Sequence, residues 1–273
     1  MSGAQLLEAL RARGEPVPLA DLAARLVAAP QPLAPGLARR IVAVALGRPA
    51  PSLPDPLPAD ALHPPAAAGP DPTPLERAAF AVVDLETTGL SPRRATIIEI
   101  GAVRILSLRL AERFETLVDP RQPLPRAITA LTGIHDAMLA GAPPLGDALR
   151  SFRRWLAVSP GAPLVAHNAP FDEGFLRRGF AACGLPDLGV PILCTRKLAR
   201  RLVPELRRFG LERLAGALGV RNRARHRALG DAEATAEALL HLLERARTVH
   251  ALRSVGDLRG LQERPPPPRS RGR

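Results

Sequence analysis

The chain is expected to be an α/β protein, a mixed β-sheet with helices on its faces, preceded by a small helical domain. Three observations predict this. An apolar run, "AAFAVVDL", is followed by two β-rich segments, "TIIEIGAVRIL" and "ERFETLVDP", close enough to form a hairpin. Beyond them, short apolar strands alternate with helical periodicity, the order of a sheet covered by helices. Upstream, helical spacing is cut off from all this by a segment dense in Pro and Ala.

In chain order, residues 1–47 read as three short helices. Leu6, Leu7 and Leu10 share one helical face, and Leu19, Leu22, Ala23 and Leu26 share another. "LAPGLARRIVAVAL" supplies the third, a pattern compatible with a helix-turn-helix or with a cap on the main domain. Residues 48–76 are too rich in Pro for a regular helix or central strand and read as a mostly disordered linker.

The main domain is placed at 77–248. Within it, "LGDALRSFRRWLAV" reads as a helix, "APLVAHNAP" as a short buried strand, and "FDEGFLRRGFAACG" as a helix stopped by Gly184. "VPILCT" is a strand and "LERLAGALG" a short helix. "GDAEATAEALLHLLERARTV" is the longest helix, with Asp231 in an N-cap position. Residues 249–273, ending in "ERPPPPRSRGR", read as a solvated tail.

Composition narrows the function classes. At 273 residues and 46% hydrophobic, the chain can bury a substantial core; with 3% aromatics, that core is aliphatic. The net charge of +12 favours an anionic partner, and Lys197 is the only lysine, so the basic character is carried by Arg. Charge is densest between Arg196 and Arg227, where eleven basic residues face only Glu205 and Glu212. A single nucleic-acid strand fits such a track; a solvated helix pair is the structural alternative. Cys183 and Cys194 form no close pair, which argues against a disulfide framework or zinc knuckle and fits a reducing cytoplasm. No apolar run is long enough for a membrane span, and charges interrupt the N-terminal segment where a signal peptide would be apolar.

Acidic residues then define a candidate site. Asp84 and Glu86 are two apart in "VVDLETTGL", so on a strand they share one face. Two carboxylates at a strand end suit a hard divalent cation. Asp172 follows the next strand in "HNAPFD", and Asp231 follows His226 by five residues in "HRALGD". A helix-dipole role for Asp172 and an N-cap for Asp231 are the structural alternatives.

In order and content, "DLETTG", "HNAPFD" and "HRALGD" resemble the three exonuclease motifs of the DEDDh family, which includes the proofreading subunit of bacterial DNA polymerase III and oligoribonuclease. "LTGIHDAM" resembles the loop that approaches the terminal nucleotide. The resemblance covers roughly residues 78–245. It implies a ribonuclease H-like five-stranded mixed sheet flanked by helices. It implies two divalent metal ions, Mg²⁺ or Mn²⁺, held by Asp84, Glu86, Asp172 and Asp231, with His226 as the general base. It implies 3′→5′ removal of nucleoside 5′-monophosphates from single-stranded or frayed DNA, in proofreading or repair. Thr87, Thr88, Ile128, Thr132, Gly133, Ile134 and Phe171 are the expected substrate contacts. RNA trimming is the alternative within the family, and an inactive nucleic-acid-binding or polymerase-associated protein the alternative outside it. A DNA polymerase subunit is an expected partner, and a membrane is not.

Overall fold

The structure is a computed structural model. It describes residues 6, 7, 9, 10, 15–29, 31, 33–46, 55–57 and 71–265. Five strands form one sheet: β1 (Ala79–Thr87), β2 (Ile97–Leu106), β3 (Arg109–Leu117), β4 (Leu164–Ala166) and β5 (Ile192–Cys194), in the order β3-β2-β1-β4-β5. β1–β2 and β2–β3 are antiparallel, whereas β4 and β5 run parallel to β1. The expected mixed sheet is therefore observed.

Strand alternation divides the core into two layers. Phe80 and Val82 of β1, with Val103 and Ile105 of β2, face the long helix 228–248. Ala81, Val83 and Leu85 face the opposite layer, with Phe152, Phe175 and Phe180 from the helices at 145–157 and 170–182. On the first face the alternation continues along β1 from Phe80 and Val82 to Asp84 and Glu86. The same register that builds the core thus delivers both acids to its end.

The helices, in chain order, are α1 (Leu19–Leu26), α2 (Pro35–Leu46), α3 (Arg126–Thr132), α4 (Asp136–Leu139), α5 (Leu145–Ala157), α6 (Pro170–Ala182), α7 (Thr195–Leu202), α8 (Leu211–Ala217), α9 (Ala228–Thr248) and α10 (Val255–Glu263). No helix among the described residues is long and apolar enough to cross a membrane. α1 and α2 share a small apolar cluster with Leu6, Leu7 and Leu10. That cluster is pinned to the main body by Arg153 of α5. Its buried guanidinium donates to the carbonyl of Leu26 and to those of Pro186 and Asp187.

Two expectations require correction. The linker is not featureless: Leu57 is buried and bridges Val17, and Leu75 lies in the main core. Residues 48–54 and 58–70 fall outside the described residues. Nor does a solvated tail begin at 249. Val255, Leu258 and Leu261 of α10 are buried, and Ser254 and Asp257 form a capping box at its start. The prolines at 265–268 dominated the reading of a segment whose apolar spacing starts ten residues earlier.

α10 also closes the edge of the sheet. The Gln262 side chain accepts from the Cys194 N–H at 2.8 Å and donates to the Ile192 carbonyl at 3.0 Å, completing β5 as a further strand would. Gln262→Ala strands both groups, so it is expected to cost about 1–3 kcal/mol. Thermal melting against wild type checks this; an unchanged midpoint would show that water serves the edge equally well.

Candidate functional site

Asp84 and Glu86 lie at the C-terminal end of β1, on the face that Phe80 and Val82 turn toward α9. Asp172 is in the first turn of α6 and Asp231 in the first turn of α9. The chain between β4 and α6 is short, so Asp172 enters at the end of the sheet where β1 and β4 run side by side. One ligand atom each from Glu86, His226 and Asp231 lies within 4.8 Å of the others.

The electrostatics show that these acids crowd one another. Burial pushes Asp84 well above the ordinary carboxylate range, and the charges of Asp172, Asp231, Glu86 and Glu99 push it further. Burial, then Asp231 and Glu99, raise Glu86 to about 7. Burial raises Asp172 to about 8, against backbone hydrogen bonds from its own amide and that of Leu85. Burial also raises Asp231, while Asn222, the His226 amide and the His226 ring hold it down. Four buried carboxylates, with Asp84, Glu86 and Asp172 further raised by neighbouring acids, form a site suited to divalent cations, whose charge would reverse that logic.

The loop bearing His226 is shaped by local contacts. His226 has φ 58°, a left-handed conformation uncommon for a non-glycine residue. Its N–H donates to Asp231 Oδ2 at 3.1 Å, and the Asn222 amide donates to Asp231 Oδ1. Asp231 was expected as an N-cap, but α9 begins three residues earlier, with Arg227 at its N-cap. The Asp231 carboxylate therefore faces the site from within the helix. The amide of Ala228 is satisfied instead by Glu99 Oε2, at 2.8 Å across from β2.

Sequence reasoning passed over Glu99 and Asn222, and counted Arg227 only within the basic segment. Glu99 is fully buried, opposite Glu86 in the β1–β2 register, and paired with Arg227 at 2.5 Å. A lone acid inside the otherwise apolar "TIIEIGAV" was a readable signal, because a buried charge demands a partner. Asn222 gave none. Two glycines admit the loop: a Cβ at Gly101 would overlap the backbone of Ala228 and Leu229, and one at Gly230 would overlap Ala224.

His167 has a structural role. Its Nδ1 and Nε2 lie 2.9 Å from the Thr195 hydroxyl and from the Phe209 carbonyl. Burial lowers it to about 4, so it is neutral and ties the 203–210 loop to the start of α7.

The residues expected to contact substrate make local contacts of their own. Thr87 is buried and donates to the Gly89 carbonyl at 2.7 Å; Thr88 accepts from the Thr96 amide at 3.0 Å. Both close the turn after β1. Thr132 donates to the Ile128 carbonyl and accepts from the Ile134 amide, and Gly133 ends α3 in a left-handed conformation. Ile134 is wholly buried with Ile98, Leu124 and Leu139, and Ile128 packs against the same cluster, so the Ile134 side chain is a packing group. Phe171 packs against Phe175 in a tilted pair, with ring centroids 4.9 Å apart and an interplanar angle of 51°.

Comparison with known proteins agrees with this arrangement. A family model described as "Exonuclease" matches residues 81–239. The chain is 39% identical to the PolC-type DNA polymerase III of Bacillus cereus over 170 residues, which are 62% of this chain and 12% of that protein. It is 42% identical to the PolC-type enzyme of Oceanobacillus iheyensis over 166 residues, 61% of this chain and 11% of that protein. The match thus spans only about an eighth or less of those relatives. Among solved structures, Exonuclease X in complex with 5′ overhanging duplex DNA is 27% identical with a TM-score of 0.52, covering 66% of this chain and 98% of that one. The nuclease domain of 3′hExo, a DEDDh family member, shares the fold at 20% identity with a TM-score of 0.56, covering 63% of this chain and 94% of that one. With more than half of its length matched by the family model, this chain belongs to the exonuclease family.

Proposed function

We propose that the chain is a divalent-metal-dependent 3′→5′ exonuclease that releases nucleoside 5′-monophosphates from single-stranded or frayed DNA ends, alongside a replicative or repair polymerase. The supporting observation is the convergence of Asp84, Glu86, Asp172 and Asp231 with His226 at one sheet end, at the cost of their mutual repulsion. The preference for DNA rests on the polymerase relatives and on the duplex held by Exonuclease X.

On this reading the four carboxylates would hold two Mg²⁺ or Mn²⁺ ions. When bound, such ions supply the Lewis acidity that activates a water and steadies the departing 3′ oxygen. His226 accepts a proton from the attacking water as its oxygen bonds to phosphorus. The P–O3′ bond breaks, and the freed 3′ oxygen takes a proton from solvent. The left-handed backbone at His226 directs its amide to Asp231, so one loop carries the base and orients a ligand. Chromatography of the products from single-stranded DNA tests the reading. Nucleoside 5′-monophosphates, formed with Mg²⁺ or Mn²⁺ and abolished by a chelator, are expected. Nucleoside 3′-monophosphates, or turnover indifferent to chelation, would contradict it.

The Arg-rich segment supports a phosphate track. Glu205 and Glu212 are already paired with Arg245 and Arg225. Arg207, Arg208, Arg213, Arg221 and Arg223 are exposed and make no ion pair among the described residues. His167 holds the Phe209 carbonyl, next to Arg207 and Arg208, and Asn222, between Arg221 and Arg223, donates to Asp231. Arg207→Glu with Arg208→Glu is expected to raise KM for single-stranded DNA with little change in kcat. It should also flatten the salt dependence of binding by about 0.7 per lost phosphate contact. Filter binding across a salt series checks this; an unchanged slope would remove these two residues from the track.

A further inference from the structure

We infer that buried Glu99 and half-buried Arg227 form a strap that positions the His226 loop and the first turn of α9 against β1. They would act as positioning residues for the proposed phosphodiester chemistry. The inference rests on the proposed function for its kinetic consequences, but its geometry stands alone.

Glu99 and Glu86 are register partners on adjacent strands, so their side chains share the face that α9 covers. Both oxygens of Glu99 are engaged. Arg227 Nε lies 3.0 and 3.2 Å from them, Arg227 Nη2 lies 2.5 Å from Oε1, and the Ala228 amide lies 2.8 Å from Oε2. Glu99 is fully buried. A carboxylate so occupied is not a fifth cation ligand, although it stands beside the other acids. It is an anchor. Arg227 reaches a second strand as well, with Nη2 3.4 Å from Glu115 on β3.

The anchored residue follows His226 directly. Among the described residues no hydrogen bond holds the His226 ring; its place is set through the backbone. That backbone is fixed on one side by the Asp231 carboxylate and on the other by Arg227. Gly101 lets Ala228 and Leu229 sit directly on β2, so α9 meets the sheet without a side chain between them. Loosening the strap would free the base and Asp231 together while leaving Asp84, Glu86 and Asp172 in place. Bidentate geometry matters here, because a lysine ammonium supplies charge without the planar fork.

The test uses Arg227→Lys and Glu99→Gln, singly and combined, in the full chain. Each single variant is expected to lower kcat about 10- to 100-fold and to weaken Mn²⁺ binding in titration calorimetry by a similar factor. KM for single-stranded DNA should stay near wild type. Combining the two should cost little more than either alone. Amide hydrogen exchange should rise across residues 222–231 and not in β1. If variants with wild-type circular dichroism keep the wild-type Mn²⁺ affinity and exchange, the strap is only structural and the inference fails. If the wild-type chain trims no nucleic acid, the proposed function fails, while Mn²⁺ affinity and exchange still decide the strap. Arg227→Lys keeps a cation beside Glu99 and so remains informative if Glu99→Gln does not fold.

Discussion

Asp84→Asn is expected to reduce nucleotide release by on the order of 10³-fold, equivalent to about 4 kcal/mol of barrier, while making the metal-free protein more stable. Both effects follow from one carboxylate. Asp84 lies at the centre of the acidic group, pushed far above its ordinary range by burial and by four neighbouring acids. Neutralising it relieves that repulsion and removes a ligand in the same step. Stability bought by disarming a site is a common trade in enzymes. His226→Ala should fall within about 10²–10⁴-fold, the range for loss of a general base. Single-turnover kinetics and thermal melting in chelator, run on the same preparations, check both halves. A variant that is inactive but no more stable would mean that the crowding is already relieved in the metal-free chain.

The second large effect concerns pH. Glu86 and Asp172 stand near 7 and 8 in the folded chain, above their ordinary values of 4.5 and 3.8. Over that range the folded state binds more protons than the unfolded state, so stability falls as pH rises. His167, held neutral near 4, acts in the opposite direction, but only below the ordinary histidine value of 6.5. Between pH 6.5 and 9 the acids therefore dominate. The metal-free protein should lose on the order of 3 kcal/mol, roughly 10 °C in Tm. Saturating Mg²⁺ or Mn²⁺ should restore most of that, so the metal-induced gain in Tm should be larger at pH 9 than at 6.5. Calorimetric scans at both pH values, with and without metal, measure it. An equal gain at both would indicate cations bound away from these acids.

Much of this was legible in the sequence because strand periodicity and site chemistry coincide. "AAFAVVDLET" places Phe80, Val82, Asp84 and Glu86 on one face whether read as a core pattern or as a site. Asp172 was legible because it follows a short apolar strand at the opening of a helix, and Asp231 because it follows His226 by five residues where the longest helix opens. The boundaries were not. Asp231 looked like an N-cap because Ser, Thr, Asn and Asp often start helices, but Glu99 supplies the acceptor for the Ala228 amide from 129 residues earlier in the chain. Such tertiary caps leave no local mark. The same holds for Gln262 on the β5 edge, which lies just before the proline run and serves two backbone groups about 70 residues away. Gly101 and Gly230 showed in the sequence only as glycines. Their purpose, close backbone approach at the mouth of the site, depends on which strand meets which loop.

The central claim is tested most directly by a ladder assay on 5′-labelled single-stranded DNA and on RNA of the same sequence. It would compare wild type with Asp84→Asn in the presence of Mn²⁺. The account predicts stepwise shortening from the 3′ end, faster on DNA and abolished by the substitution. Faster shortening of RNA would reassign the substrate. Label released at once as a mononucleotide, or an intact ladder with the wild type, would contradict the 3′→5′ exonuclease reading itself.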